Sequence, residues 1–114
     1  MQKANELLKN NLYNYYFKTL GLKDYRERIS IRENRIYAKK VIGYLEKFSN
    51  LKNKKILDIG SGWGELCIEL SKHGASAVGV EPDKNLLEIA SPLGKEEGSK
   101  AKFVNSSGEK NSFS

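Results

Sequence analysis

The stretch from Lys54 to Glu65, KKILDIGSGWGE, constrains the fold of this 114-residue chain more than any other. Ile56, Leu57 and Ile59 form an almost continuous aliphatic run, which is typical of a parallel strand that is buried on both faces. Glycine adopts backbone angles that other residues avoid and lets a ligand approach the main chain. The stretch therefore predicts a strand, a tight turn and a helix start whose free N–H groups suit a polar ligand. The turn contains three glycines at every second position: Gly60, Gly62 and Gly64.

The spacing of these glycines distinguishes two kinds of nucleotide site. A dinucleotide-binding fingerprint, G-x-G-x-x-G, would need its third glycine at position 65, where the chain has Glu65. A fragment of a NAD-binding oxidoreductase is therefore the weaker alternative. The pattern present, Asp58 followed by Gly60, Gly62 and Gly64, resembles motif I of the class I S-adenosylmethionine-dependent methyltransferases.

A second acidic residue supports this resemblance. Residues 77–80 predict a second short strand, and Glu81 follows it about twenty residues after the glycines, where an acid can accept hydrogen bonds from both ribose hydroxyls. Asp58 and Glu81 thus end consecutive predicted strands, with the glycine turn between them. A helix-capping acid or a solvated loop residue would explain either acid alone, but not this shared placement.

The resemblance implies S-adenosylmethionine as the cofactor and gives roles to the residues of this stretch. Glu81 would bind the ribose, Asp58 would orient the methionine ammonium group directly or through water, and Pro82 would pack on the adenine. The implied function is methyl transfer, or the cofactor-binding part of it, with no catalytic residue and no methyl acceptor assigned. The methionine moiety would lie against the main chain of the turn, at Gly60, Ser61, Gly62 and Gly64.

Taken with the other predicted elements, this resemblance implies an α/β fold: the N-terminal half of a Rossmann-like, doubly wound parallel sheet with strand order 3-2-1, preceded by two helices. Apolar spacings of three and four predict the first helix over residues 3–20. Ser30 and Glu33 have the spacing of a capping box and predict the second helix over about 31–48. One face of this helix would carry Tyr37, Val41, Leu45 and Phe48 at four- and three-residue steps.

The glycine turn should open a helix over residues 64–73, with Glu65 and Glu69 on its exposed face. Asp83 is the predicted N-cap of the next helix, which Pro92 and Gly94 should end early. A weak third strand is predicted over 101–104. These elements divide the chain into a helical segment, 1–53, and a truncated cofactor-binding segment, 54–114.

Composition bounds the function further. The net charge of +6 is uneven, because residues 1–55 hold 14 basic and 5 acidic residues (+9) and residues 56–114 hold 6 and 9 (−3). The basic residues alternate with apolar ones at helical spacing, so solvated helix faces are favoured over nucleic-acid binding. Without an apolar run of membrane-spanning length, a cytoplasmic location is expected. A single cysteine and a single histidine make a metal site improbable.

Only three strands of a seven-stranded family sheet can be placed, so we expect the chain to be the N-terminal portion of a larger domain. By itself it should not catalyse methyl transfer. The apolar first strand would expose one edge, which another chain could complete or through which copies could self-associate. A non-catalytic binding or interaction module that uses the basic helices remains the alternative function.

Overall fold

The computed structural model describes residues 3–107, so positions 108–114 of the predicted cofactor-binding segment lie outside the described residues. None of the helices in this part of the chain is long and apolar enough to cross a membrane. The elements run in the order α1 Lys3–Tyr13, a π-helical segment Asn14–Thr19, α2 Tyr25–Glu33, α3 Ile36–Glu46, β1 Lys55–Ile59, α4 Glu65–Lys72, β2 Ser76–Glu81, α5 Lys84–Glu96 and β3 Lys102–Asn105.

The three strands form one parallel sheet in the order β1-β2-β3, which confirms the predicted order 3-2-1. Ile59 of β1 pairs with Val80 of β2, and Val80 pairs in turn with Val104 of β3. Because the strands are parallel and pair in this register, their carboxyl ends meet at one edge of the sheet. The loops after β1 and β2 therefore lie side by side.

Two apolar clusters fill the space between the helices and the sheet. The larger cluster joins α1 to the helices that follow the strands, through Leu12, Ile68 and Leu93. The second cluster contains Ile42 of α3 and Leu70 of α4. The N-terminal helices thus pack directly on α4, which begins where the glycine turn ends, and Trp63 of the turn belongs to the larger cluster.

The prediction of one helix over 31–48 is wrong, because α2 ends at Glu33 and α3 begins at Ile36. Ser30 lies inside α2 instead of capping a helix, and its carbonyl accepts hydrogen bonds from the main-chain and side-chain amides of Asn34, at 3.0 and 2.9 Å. Arg35 then takes a left-handed conformation with φ 53°, which is uncommon outside glycine. Asn34 and Arg35 together break the helix, so three helices and not two precede the sheet.

The apolar face predicted from the spacing is not the face of α3 that packs on the core. The side of α3 that packs on the core carries Ala38 and Ile42, which are 6% and 2% exposed. Apolar residues lie on more than one side of this helix, so their spacing alone did not identify the packed side. The residues predicted to share one apolar face are 63%, 41%, 36% and 74% exposed, in the order Tyr37, Val41, Leu45 and Phe48.

The prediction of an exposed Glu69 is wrong as well, because this residue of α4 is only 7% exposed. Arg35 Nη1 donates a hydrogen bond to Glu69 Oε2 at 2.9 Å, and Arg35 also pairs with Glu97 at the end of α5. Lys72 Nζ adds a 2.6 Å hydrogen bond to Glu97. The periodicity of α4 could not predict the burial of Glu69, because Arg35, which covers it, lies in the break between α2 and α3.

Helix α5 begins as predicted but does not end early at Pro92. Asp83 is its N-cap, and Asp83 Oδ1 accepts a hydrogen bond from the Asn85 amide at 2.9 Å. Proline removes one helical hydrogen bond. Ala90 and Leu93 on either side of it are completely buried, however, and their packing holds α5 together through Glu96.

The prediction that β1 is buried on both faces is wrong for the described residues. Ile56 packs into the cluster beneath α3 and α4, and Asp58 contacts Cys67 of α4. Leu57 and Ile59 point away from these helices and are 48% and 55% exposed. Within residues 3–107, β1 pairs with β2 alone, so its other edge is open.

Candidate functional site

The carboxyl ends of β1 and β2 bring the predicted site residues to one edge of the sheet. Asp58 is the second-last residue of β1, and Glu81 is the last residue of β2. The glycine turn is tied to β2, because the amides of Gly60 and Ser61 both donate to the Val80 carbonyl, at 2.7 and 3.0 Å. The turn and the two acids therefore form one continuous surface.

Two of the three glycines leave space in front of the turn. Gly60 and Gly62 have φ values of 78° and 58°, and a Cβ at either position would meet no atom within 4 Å. Gly64 differs, because its Cβ would lie 2.7 Å from the Phe103 ring. Gly60 and Gly62 therefore suit a ligand that approaches the main chain closely. At Gly64, glycine is required by the packing of Phe103, and a contact of Gly64 with the cofactor stays a prediction.

Ser61 lies beneath the turn against a glycine that sequence reasoning missed. A Cβ at Gly79 of β2 would come within 2.7 Å of both Cβ and Oγ of Ser61, so only glycine lets the turn lie this close to the strand. A glycine inside a predicted strand is a recognisable signal of close backbone approach. Ser61 is 8% exposed, and its hydroxyl has no hydrogen-bond partner among the described residues. This buried polar group suits a polar ligand.

Glu81 is fixed at the end of β2 by main-chain amides on both sides. It is 7% exposed, its Oε1 accepts a hydrogen bond from the Gly62 amide, and its Oε2 accepts one from the Asp83 amide, each at 2.9 Å. An ionised carboxylate offers about four acceptor sites. Glu81 therefore shapes the glycine turn and retains acceptor sites for a ligand hydroxyl.

Pro82 is exposed beside Glu81 and is held by a second residue that sequence reasoning missed. The side-chain amide of Asn105, the last residue of β3, donates to the carbonyls of Glu81 and Pro82, at 2.9 and 3.0 Å. Its signal in the sequence is a polar residue at the end of the third predicted strand. Asn105 fixes the backbone at Pro82, so the ring of Pro82 has a defined place at the edge of the site.

Asp58 is half-buried and has an unusual partner. Cys67 Sγ lies 3.8 Å from Asp58 Oδ2, at hydrogen-bonding distance for a thiol donor. Burial raises the pKa of Asp58, as does the negative charge of Glu81, and the Cys67 hydrogen bond only partly opposes this. Burial and the neighbouring Asp58 raise the pKa of Cys67 to about 12, so the thiol keeps its proton. A cationic ligand group near Asp58 would relieve the crowding of negative charge.

A pocket of about 290 Å³ lies between the glycine turn and the break between α2 and α3. Its wall carries Ser61 from the turn and Glu65 from the start of α4. The opposite side comes from the N-terminal helices and includes Arg32, Arg35 and Tyr37. The N-terminal helices therefore supply one wall of this pocket beside the turn.

A comparison with protein families identifies this arrangement. The sequence model of the family described as "Methyltransferase domain" matches residues 56–114, which are 59 of the 114 residues. The chain belongs to this methyltransferase family. The matched segment contains Asp58, the glycine turn and Glu81, and the resemblance to the class I S-adenosylmethionine-dependent methyltransferases is confirmed.

Curated relatives of this methyltransferase chain include two ubiquinone biosynthesis O-methyltransferases. The protein of Coxiella burnetii (strain RSA 493 / Nine Mile phase I) is 43% identical over 47 residues, which cover 41% of this chain and 20% of the relative. The protein of Aliivibrio fischeri (strain MJ11) is 38% identical over 65 residues, which cover 57% of this chain and 28% of the relative. The chain thus spans 20% to 28% of the length of these relatives.

Solved methyltransferase structures share the fold. The magnesium protoporphyrin IX methyltransferase of Synechocystis PCC 6803, with bound S-adenosylhomocysteine, aligns with a TM-score of 0.62 and 20% identity over 86% of this chain and 51% of its own. The plantazolicin methyltransferase, in complex with S-adenosylhomocysteine, aligns with a TM-score of 0.53 and 24% identity over 99% and 46%. These likenesses confirm the N-terminal part of a Rossmann-like methyltransferase fold.

Proposed function

We propose that this chain binds S-adenosylmethionine at the carboxyl edge of its sheet and forms the cofactor-binding part of a methyltransferase. The observation that carries the proposal is the Glu81 carboxylate, buried and fixed by the Gly62 and Asp83 amides beside a turn with open space at Gly60 and Gly62. A rigid acid next to an accessible main chain suits a ligand that has both a ribose and a polar tail.

Each predicted site residue has a role in this proposal. Glu81 accepts hydrogen bonds from the ribose hydroxyls, and Pro82 packs on the adenine. Asp58, with its raised pKa and its negative neighbour, accepts a hydrogen bond from the methionine ammonium group. The buried Ser61 hydroxyl offers a further hydrogen bond to the same end of the cofactor.

When bound, S-adenosylmethionine supplies a methyl group that its sulfonium already activates. The chain then has to align this group with an acceptor and exclude water, and positioning of this kind contributes as much as about 7 to 11 kcal/mol. The family match covers the segment that carries the cofactor residues. It supports the cofactor and does not assign the acceptor.

Calorimetric titration with three ligands tests the proposal. S-adenosylmethionine and S-adenosylhomocysteine should both bind, and NAD should not, because Glu65 stands where the dinucleotide fingerprint needs a glycine. Binding of NAD alone would replace the proposal with an oxidoreductase fragment. Binding of none of the three would favour the interaction-module alternative.

Replacing Glu81 with glutamine should weaken the binding of S-adenosylhomocysteine by about 1.5 to 3 kcal/mol, the range for hydrogen bonds to a charged group. The amide keeps an oxygen for one main-chain amide but loses the charge and an acceptor. Glu88→Gln is the matched control, because Glu88 is exposed on α5 and should leave the affinity unchanged. Equal affinity of Glu81→Gln and the parent chain would remove the ribose assignment.

Cofactor affinity should also depend on pH through Asp58. Its pKa is raised above the ordinary value of about 3.9, so the carboxylate that binds an ammonium group forms only as the pH rises through the raised value. The affinity for S-adenosylhomocysteine should therefore increase from about pH 4 upward and then level off. 5′-Methylthioadenosine, which lacks the ammonium group, should lack this component, and Asp58→Asn should remove it. The same pH profile for both ligands would contradict the assignment.

We also propose that the chain is cytoplasmic and that copies of it self-associate through the edge of β1. Exposed Leu57 and Ile59 beside the open edge support self-association, because apolar strand edges pair readily with other chains. Sedimentation velocity over a range of concentrations should show a concentration-dependent dimer. A monomer at every concentration would count against that expectation.

A further inference from the structure

Residue Arg32 of α2 contacts both neighbours of the last glycine in the turn. Its Nε donates a hydrogen bond to Glu65 Oε2 at 2.6 Å, and its Nη2 pairs with Glu65 Oε1. The guanidinium and the carboxylate therefore form a bidentate ion pair with two parallel hydrogen bonds. The same guanidinium lies 4.5 Å from the centroid of the Trp63 ring, within the range of a cation–π contact. Trp63 and Glu65 flank Gly64, so one side chain holds the turn on either side of that residue.

The contact is enclosed and has further support from the N-terminal helices. Trp63 is 9% exposed, and its Nε1 donates to Asn11 Oδ1 of α1 at 3.2 Å. The side chains of Arg32 and Glu65 are 25% and 13% exposed, so water screens their pairing less than at the surface. The Tyr16 hydroxyl accepts a 3.4 Å hydrogen bond from Arg32 Nη1. Planar, bidentate pairing of this kind fixes orientation as well as distance.

The turn needs an external constraint of this kind. Gly60, Gly62 and Gly64 all have positive φ, and glycine has more backbone freedom to lose than any other residue. On one side the Gly62 amide is held by Glu81. On the other side the holding group is Arg32, acting on Trp63 and Glu65. Without Arg32 the half of the turn that leads into α4 would lose its tether to α2.

We propose that Arg32 is a positioning residue for the cofactor: through its paired contacts with Trp63 and Glu65 it holds the glycine turn in the ligand-binding conformation. The inference rests on the proposed function and extends it, because it assigns the N-terminal helices a part in cofactor affinity. Arg32 acts through the turn and not through a bond to the cofactor. Its loss should therefore weaken every ligand that uses the turn, whichever polar groups that ligand carries.

The test compares two ligands and two arginines of the same helix. Arg32→Gln should weaken the binding of S-adenosylhomocysteine about tenfold or more, because the ligand must then order a looser turn when it binds. 5′-Methylthioadenosine lacks the methionine moiety that lies against the turn and should be weakened less, through Glu81, which bonds the Gly62 amide. Arg32→Lys should weaken both as well, since an ammonium group cannot form the two parallel bonds. The matched control is Arg28→Gln, whose exposed partner is Asp24, and both affinities should stay at the parent value.

A measurement without ligand separates positioning from a general loss of structure. Trp63 is the only tryptophan of the chain, so its fluorescence reports on the turn alone. Acrylamide should quench Trp63 more strongly in Arg32→Gln than in the parent, while the far-ultraviolet circular dichroism is unchanged. If Arg32→Gln does not fold, Glu65→Gln opens the same contact from the other side and should show both effects in a milder form.

The outcomes that would overturn the inference are distinct. Weaker binding of S-adenosylhomocysteine together with unchanged acrylamide quenching of Trp63 in ligand-free Arg32→Gln would show that Arg32 acts on the ligand directly and not through the turn. Unchanged affinity for both ligands would remove any role of Arg32 in binding. A parent chain that binds neither ligand would refute the proposed function itself, which the Arg32 variants alone cannot do.

Discussion

Replacing Gly62 with valine is expected to abolish cofactor binding while the far-ultraviolet circular dichroism stays close to that of the parent. Gly62 has φ 58°, which opposes a branched side chain by about 1 to 2 kcal/mol, but a Cβ there meets no protein atom within 4 Å. The fold can therefore accept the change. The new side chain would fill the space in front of the turn and disturb the amide that Glu81 holds.

Gly98→Val is the matched control for this experiment. Gly98 has φ 71° and equally open surroundings, but it lies between α5 and β3, at the amino end of the strands. The backbone penalty should be similar, so both variants should lose comparable stability in urea titrations. Only Gly62→Val should lose calorimetric binding of S-adenosylhomocysteine. Normal binding by Gly62→Val would remove the main support for the glycine turn as the cofactor site.

Replacing Arg35 with alanine should lower the free energy of unfolding by about 3 to 5 kcal/mol, the range for breaking a buried ion pair from one side. The side chains of Arg35 and Glu69 are each 10% exposed. Among residues 3–107, the change leaves the buried Glu69 with the more distant Lys72 Nζ, at 3.5 Å, as its charged partner. Glu97 loses the same arginine. Urea titration followed by circular dichroism measures the change.

Two variants separate the ion pairs from the backbone effect at this position. Arg35 is left-handed, so Arg35→Gly removes the pairs and relieves the backbone, and it should be less destabilised than Arg35→Ala by about 1 to 2 kcal/mol. Arg28→Ala, which removes an exposed pair with Asp24, should change stability by less than about 1 kcal/mol. An Arg35→Gly variant that is more stable than the parent would show that the buried pairs contribute nothing.

The same cluster predicts how stability depends on acid. Burial alone would raise the pKa of Glu97, but hydrogen bonds from Arg35 and Lys72 outweigh it and hold that pKa below its ordinary value. Ionised Glu97 therefore stabilises the fold above its ordinary pKa of about 4.3, and this contribution is lost as the pH falls through the lowered value. Arg35→Ala should lose less stability on acidification than the parent does.

Local patterns were sufficient for the sheet and for the residues at its edge. The strand and the glycine turn could be predicted from residues that are adjacent in sequence. The place of Glu81 beside the turn then follows from the parallel pairing of β1 and β2. Asp83 was likewise predictable as an N-cap, because its acceptor lies two residues from the amide it caps. These features need no knowledge of the N-terminal helices.

The errors arose where distant segments meet. Glu69 has the spacing of an exposed residue and is buried only because Arg35 reaches it from the break after α2. The apolar residues of α3 lie on more than one side, and the packed side was decided by contacts with α4 through Ile42. Pro92 stays in a helix because its neighbours are buried. The spacing of apolar residues shows which sides of a helix are apolar. It does not show which side another part of the chain will cover.

A titration of the ¹⁵N-labelled chain with S-adenosylhomocysteine shows whether the carboxyl edge of the sheet holds the cofactor. The amide signals of Gly60, Ser61, Gly62 and Asp83 should shift in proportion to bound ligand, because these amides lie on the turn or bond to Glu81. The amides of Gly21 and Gly98, outside the proposed site, should not shift. Saturable shifts that spare the glycine turn would place the cofactor elsewhere on the chain, and the absence of any shift would show that the chain does not bind it.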